Sequence, residues 1–309
     1  TDEWVNIAFT ISSTNAALYI NGQLVKESAL TGGVSWAGCD ILSIMSGAPR
    51  FTEWNHKSDL SYMDELRFFN KALTQEEILE IIDNEYVPKY SGEALYMPFN
   101  TNYADLVSGS IATPVGTPGF AGEGKAGGNA YAGAAGSYLT FPTTEILENE
   151  FSAAFWMKVN AAPDRAGILV IGPPDPNNPA TPNNRTSGFR FFRENAGGMQ
   201  RFKLNVGNGT ADSWFDGGAA ADVDPALNEW VHLAFTISDS KCVVYINGEI
   251  VSQGSFTGVD WTGCDVLSLM SGAPRFTEWN HFSDASYMDE LRLFTKALTQ
   301  SEVQTIMNE

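Results

Sequence analysis

EWVHLAFTISDSKCVVYINGEIVSQ, residues 229–253, decides the architecture. Val231, Leu233, Phe235 and Ile237 alternate with His232, Ala234 and Thr236, the period of two that marks a strand with one face on a core. Asn247-Gly248 then stands between two more β-rich runs. Asn-Gly is a strong hairpin signal, because both central residues of a type I′ turn take positive φ. The stretch therefore reads as a strand followed by a hairpin.

The same text occurs earlier in the chain. Residues 3–28 match residues 229–254 at 13 of 26 positions, with Asn21-Gly22 in the turn. Downstream, MSGAPRFTEWNHKSDLSYMDELR (45–67) matches MSGAPRFTEWNHFSDASYMDELR (270–292) at 21 of 23 positions. Residues 68–84 match 293–309 at 8 of 17. Repeats rank residues as well as revealing architecture. The two copies diverged in their hairpins and helices and hardly at all across one loop. That loop is either a functional site, a fold-critical segment, or a product of gene conversion. Each copy closes on a short helix, announced by the capping boxes Thr74…Glu77 and Thr299…Glu302 ahead of apolar residues.

Only the second copy has a front half. ALYMPFN (94–100), SYLTFP (137–142), FSAAFWMKV (151–159), AGILVIG (166–172) and RFKLNV (201–206) are short β-rich runs bounded by turn residues. In the third, Phe151, Ala153, Phe155, Met157 and Val159 alternate with Ser152, Ala154, Trp156 and Lys158. Many short antiparallel strands with regular turns argue for an all-β, two-sheet sandwich. Residues 1–87 read as the C-terminal part of a first domain, 88–93 as a linker, and 94–309 as a complete domain. A half sandwich bares its inner face. The expectation is that upstream sequence or another chain completes it.

The chain has 309 residues and a net charge of −19. No basic face exists to neutralise phosphates, which disfavours nucleic acid and anionic membranes. No run approaches the ~18 apolar residues of a membrane helix. Cys39 and Cys264 are repeat equivalents, and Cys242 corresponds to Ala16. A Cys242–Cys264 bridge is open to one copy only, the alternative being small buried thiols. The spacing excludes a CxxC zinc site.

EWVHLAFTIS…VVYINGEIV, followed by LSLMSG…YMDELRLFTKALTQSEV, resembles the bacterial laminin G-like domain, a concanavalin A-like jelly roll. The front half, from YMPFN through AGEGKAGGNAYAGAAGSYLTFP to FSAAFWMKV, resembles it too. The WNHxSDxSYMDELR version is similar to domains of Bacteroidetes surface and polysaccharide-utilisation proteins. The resemblance implies a jelly-roll fold and binding of glycans or proteins outside the cell. It also implies a structural calcium that takes a carboxylate from the last strand. That points to Asp289, and to Asp64 by equivalence, with Asn100 and Asp105 as further oxygen donors. The alternative for such an Asp is hydrogen bonding to neighbouring main-chain amides.

The repeated loop carries the ligand candidates. Arg275, Glu278, Trp279, Asn280, His281 and Asp284 in one copy match Arg50, Glu53, Trp54, Asn55, His56 and Asp59 in the other. An aromatic face stacks on the C–H face of a sugar, and planar polar groups hold its hydroxyls. The alternative is a long loop folded back on the sandwich, with Phe276 and Trp279 as its own small core.

Catalysis finds little support. The E-x-D-x-x-E strand of laminarinase-type enzymes is absent, and glycoside hydrolysis needs two carboxylates at set spacing. The expected function is a non-catalytic, extracellular carbohydrate-binding module at the cell surface. The alternative is a structural or adhesive repeat that binds protein or acts as a spacer.

Overall fold

The computed structural model describes residues 4–63, 66–83 and 86–309, with only the backbone at 80 and 83. They form two compact units, Thr1–Tyr86 and Val87–Glu309.

Unit 1 has an antiparallel sheet of β1 (Ile7–Ile11), β2 (Asn15–Ile20) and β3 (Gln23–Ala29), followed by α1 (Gln75–Asp83). Asn21 and Gly22 take φ of 49° and 71°, as a type I′ turn requires. Thr74 and Glu77 exchange the two hydrogen bonds of a capping box. Ile78 of α1 packs on Ala17 and Tyr19, which buries one face of the sheet. Its other face is bare: Ile7, Phe9, Ile11, Leu18 and Ile20 are exposed. Residues 41–44 form no strand here, although their counterparts in unit 2 do.

Unit 2 is a jelly-roll sandwich. Its strands are β4 (Glu93–Met97), β5 (Thr113–Val115), β6 (Gly119–Phe120), β7 (Tyr131–Ala132), β8 (Tyr138–Pro142), β9 (Phe151–Lys158) and β10 (Arg165–Ile171). There follow β11 (Phe189–Ala196), β12 (Met199–Gly207), β13 (Asp212–Asp216), β14 (Asp222–Val223), β15 (Trp230–Ile237) and β16 (Lys241–Ile246). β17 (Glu249–Ser255), β18 (Val266–Leu269), β19 (Tyr287–Phe294) and α2 (Gln300–Met307) complete it. One sheet runs β13-β12-β11-β10-β18-β8-β5, with β14 on β12. The other runs β17-β16-β15-β9-β19-β7-β6, with β4 on β19.

The alternation of β9 and β15 sends Phe151, Phe155, Leu233 and Phe235 into one continuous core between the sheets. Their outward neighbours Ala154 and Ala234 lie beneath α2 with Val303 and Ile306. Both faces of β9 and β15 are therefore covered at that end. Cys242 and Cys264 are free, buried thiols, so the bridge is not formed.

Residues 88–93 are not a free linker. Lys89 N donates to Glu93 Oε2 (2.9 Å), and the Tyr90 ring meets Phe294 edge-on at 6.2 Å. Tyr90 caps an apolar surface of unit 2, and that contact docks the segment.

Candidate functional site: the outer face of the β11 sheet

β11 points Phe189 and Phe191 into the core and Arg190, Phe192 and Glu194 outward. The repeated loop of unit 2 folds over this outer face. Phe276 is fully buried against Val170 and Phe192, and Trp279 packs at its edge. Gly272 sits where the loop closes on itself. A Cβ there would lie 2.0 Å from Phe276 O and 2.1 Å from His281 O, so only glycine fits.

Two of the ligand candidates turn out to be internal. Asp284 pairs with Arg193, and neither side chain meets solvent. Arg193 also donates to Gln200 Oε1 and to the carbonyls of Pro163 (2.9 Å) and Ala162 (3.2 Å). His281 is fully buried, stacked on Phe276 at 4.6 Å and edge-on to Phe192 at 4.6 Å. Glu194 Oε1 stands 3.2 Å from its Nε2 but off the line of a hydrogen bond. Burial lowers the His281 pKa, and the Glu194 carboxyl, set between His281 and the Lys203 ammonium at 3.1 Å, is held below its ordinary value. His281 and Asp284 thus anchor the loop and cannot reach a sugar's hydroxyls. Asp284, locked to Arg193, is also unavailable as half of a catalytic carboxylate pair.

The other four candidates stay at the surface. Trp279 is half-buried, Glu278 and Asn280 are exposed, and Arg275 is ion-paired with Asp265. Glu278 accepts from Asn183 Nδ2, which ties the loop to residues 173–187.

Trp214 and Arg185 complete this surface. Trp214, on β13, is 43% exposed, and its ring lies 6.1 Å from that of Trp279. The Arg185 guanidinium sits 5.4 Å from the Trp214 ring centre and 5.1 Å from that of Trp279. Its charge is matched by Asp212 at 3.1 Å. Buried Arg190 donates to Asn184 O and so fixes the backbone next to Arg185. Trp214 was legible in DSWFD, since alternation forces one of the adjacent Trp214 and Phe215 outward. Arg185 had no local signal.

In unit 1 the loop keeps its local form. Phe51, Trp54 and His56 contact one another, with Phe51–His56 at 4.5 Å, and Ser46 bridges Ser58 as Ser271 bridges Ser283. All of its candidates are exposed: Arg50 pairs with Asp40 (2.8 Å), Trp54 is 79% exposed, and Glu53, Asn55, His56 and Asp59 face solvent.

The calcium donors separate in the same way. Asp105 is buried and accepts from Tyr96 N, Val107 N, Ser108 N and Ser108 Oγ, so its oxygens are already taken. Asp289 is buried, and desolvation raises its pKa to about 6. Its Oδ2 accepts from Lys125 N (2.6 Å) and Ala126 N (3.4 Å) and its Oδ1 from Glu290 N (3.0 Å), the main-chain hydrogen bonding that is the alternative to a metal. The Oδ2 converges with Gly127 O and Asn129 O on one face of Gly124, all within 2.9 Å of where a Cβ would stand. Asn100 Oδ1 lies beside Gly128 in the same loop. This oxygen-rich cradle fits a hard cation. No group of three His, Cys, Asp or Glu side chains converges among the described residues. Asp64 lies outside the described residues.

Several solved structures resemble this chain over 70% of its length. Domain 4 of AbnA, an extracellular GH43 arabinanase from Geobacillus stearothermophilus solved with arabinotriose, aligns with a TM-score of 0.53 at 23% identity, covering 70% of this chain and 98% of that one. The receptor-binding domain of a botulinum neurotoxin C/D mosaic aligns with a TM-score of 0.49 at 13% identity, covering 70% of this chain and 51% of that one. The chain thus spans about half of that neurotoxin domain. No curated protein matches the chain. The Laminin_G_3 pattern of the concanavalin A-like lectin/glucanases superfamily matches residues 1–79 and 133–304, well over half of the sequence, and the chain belongs to that family.

Proposed function

We propose that unit 2 is a non-catalytic carbohydrate-binding domain and that its ligand lies across Trp214 and Trp279. The observation that carries this is the pair of rings 6.1 Å apart at the rim of the outer face, with Arg185 against both. Two indoles at that spacing offer adjoining apolar faces for a sugar, and Glu278 and Asn280 stand exposed beside Trp279 as hydrogen-bonding groups. Nearby charges are paired: Arg185 with Asp212, and Lys203 with Glu194 and Asp216. Such a surface suits a neutral glycan. The AbnA domain of the same fold was solved with an oligosaccharide.

Calcium belongs to this reading as a structural ion. Asp289, Gly127 O and Asn129 O would hold it, with Asn100 adjacent. It would compensate a buried carboxylate that has no cationic partner among the described residues. A glycan-binding protein outside the cell is the setting this reading implies. Among the described residues, no helix is long and apolar enough to cross a membrane. The test is a glycan array probed with the full chain and with Trp214→Ala. Specific signal lost in the variant supports the reading, and no signal above background from the intact protein refutes it.

A further inference from the structure

The other sheet of unit 2 carries a polar cavity on its outer face. His232 of β15 and Trp156 of β9 are register partners there, past the point where α2 covers Ala234 and Ala154. A cavity of about 50 Å3 lies beside them, bounded also by Lys125, Glu290, Arg292 and the last turn of α2.

Three of the lining residues are unusual. His232 is only 1% exposed and stands edge-on to Trp156 at 5.1 Å, and neither of its ring nitrogens has a partner. Burial keeps the ring neutral, so it offers one N–H and one lone pair, both unused. Leaving such groups unmade costs free energy. Glu290 has a φ of 53°, at a β-bulge where the register of β19 on β9 slips between Asp289 and Arg292. Met288 and Leu291 both face the core, so the two residues between them both leave it, and the bulge turns Glu290 to the cavity. The Lys125 ammonium sits 4.4 Å from the Trp156 ring centre, with no carboxylate partner among the described residues. Its main-chain N–H donates to Asp289 Oδ2 (2.6 Å), which fixes this wall.

Charge decides what the cavity takes. Glu290 and Glu309 would repel a small anion, and Lys125 and Arg292 would repel a metal ion. No group of three His, Cys, Asp or Glu side chains converges among the described residues. A hydroxyl both donates and accepts, which suits a lining of mixed sign. Lys125 and Arg292 donate, Glu290 and Glu309 accept, and His232 does one of each. Trp156 adds an apolar face for C–H groups. Arg292 is held by stacking on Tyr96 at 3.6 Å and by its pairing with Glu93, and Glu290 accepts from Tyr96 Oη (2.7 Å). These groups are therefore positioned before a ligand arrives. Size decides how much of the ligand enters. About 50 Å3 is more than one water needs and far less than the roughly 300 Å3 of a pocket that encloses a small molecule. One edge of a sugar ring fits, and the whole ring does not.

We infer that this cavity is a second carbohydrate site of unit 2, which takes the vicinal hydroxyls of one neutral sugar residue edge-on, with His232 as the group that reads them. It lies on the opposite sheet from Trp214 and Trp279 and does not rest on the glycan reading of that surface.

The test uses the full chain, isotopically labelled in its three histidine rings, His56, His232 and His281. Their ring-nitrogen magnetic resonance signals are followed while neutral methyl glycosides of glucose, galactose, mannose, xylose and arabinose are added in turn. The expected result is that one glycoside shifts the His232 signals saturably at millimolar concentration and leaves those of His56 and His281 in place. His232→Phe keeps a ring against Trp156 and removes both nitrogens. It should fold and bind that glycoside roughly tenfold more weakly in calorimetry. Lys125→Met keeps the stem over Trp156, removes the donor and should weaken binding similarly. If no glycoside shifts the His232 signals, the inference is overturned and the cavity holds water alone. Unchanged affinity in His232→Phe overturns it too. Should that variant not fold, unchanged affinity in the exposed-site variant Lys125→Met does so instead. The His232 signals report this cavity alone, so the array result for Trp214→Ala leaves the outcome untouched.

Discussion

Arg193 and Asp284 lie 91 residues apart in sequence and form an ion pair with no access to solvent. The arginine comes from β11 and the aspartate from the repeated loop, so the pair fastens that loop to the sheet. Removing one partner leaves a buried, uncompensated charge, which costs about 3–5 kcal/mol. Arg193→Ala should destabilise unit 2 by that amount in urea denaturation followed by near-ultraviolet circular dichroism. A loss below about 1 kcal/mol would mean the pair is hydrated or dispensable.

Trp214 and Trp279 should separate binding from stability. Trp214 is the more exposed, so Trp214→Ala should keep the melting temperature and weaken glycan binding roughly tenfold to a hundredfold, taking stacking as about 1–3 kcal/mol. Trp279→Ala should weaken binding and also destabilise, because Trp279 packs edge-on to Phe276 at 5.8 Å. Isothermal titration with an array-selected oligosaccharide, paired with thermal melts, measures both. Unchanged affinity in both variants would move the ligand off this surface.

Removing calcium should lower the melting temperature of the native chain but not that of Asp289→Asn. An ion that binds the folded state alone, at a hundredfold excess over its dissociation constant, stabilises by about 2.7 kcal/mol. Identical melts with calcium and with EDTA would exclude it.

Two buried groups should give opposing pH effects, best measured in EDTA. His232, buried against Trp156 and with no hydrogen bond to either ring nitrogen, has its pKa lowered by burial to about 4. Its folded pKa lies below the unfolded one, so its contribution is complete above about pH 6.5 and is lost as pH falls toward 4. Asp289 is raised to about 6, so the folded state takes up its proton first and gains stability as pH falls from 6 toward 4. Each effect is on the order of 3 kcal/mol, since a tenfold change in proton affinity corresponds to about 1.4 kcal/mol. The wild type should therefore change little from these two groups between pH 6.5 and 4. His232→Gln should become more stable on acidification, and Asp289→Asn less. Parallel curves for all three proteins would show that neither group is perturbed by burial.

The fold was largely written in local patterns. Val231–Ile237 and Phe151–Val159 alternate strictly, and Asn21-Gly22 and Asn247-Gly248 demand their turns, so strands and hairpins follow without long-range information. The site was legible only in part, because burial of a polar group depends on partners far away in sequence. Arg, Asn, His and Asp beside Trp279 look like sugar contacts until Arg193 and Glu194 claim Asp284 and His281. Trp214 and Arg185 join the site only through the fold, which sets β13 beside β12 in the β11 sheet and brings residues 173–187 against the repeated loop. Asp105 shows the same limit. Three of its four donors are the main-chain amides of Tyr96, Val107 and Ser108, and a cluster of such amides has no sequence signature.

The pairing of β4 with β19 sets how unit 2 responds to load. The two strands are antiparallel, and Glu93, at the start of β4, is the register partner of Phe294, at the end of β19. A pull applied to the two ends of the unit, once α2 and the docked residues 88–92 have come away, acts at that one rung. The ladder then opens like a zipper, breaking its hydrogen bonds one after another instead of sharing the force among them. Units of this kind strung in series would yield in turn at low tension, each releasing chain before its neighbours are strained.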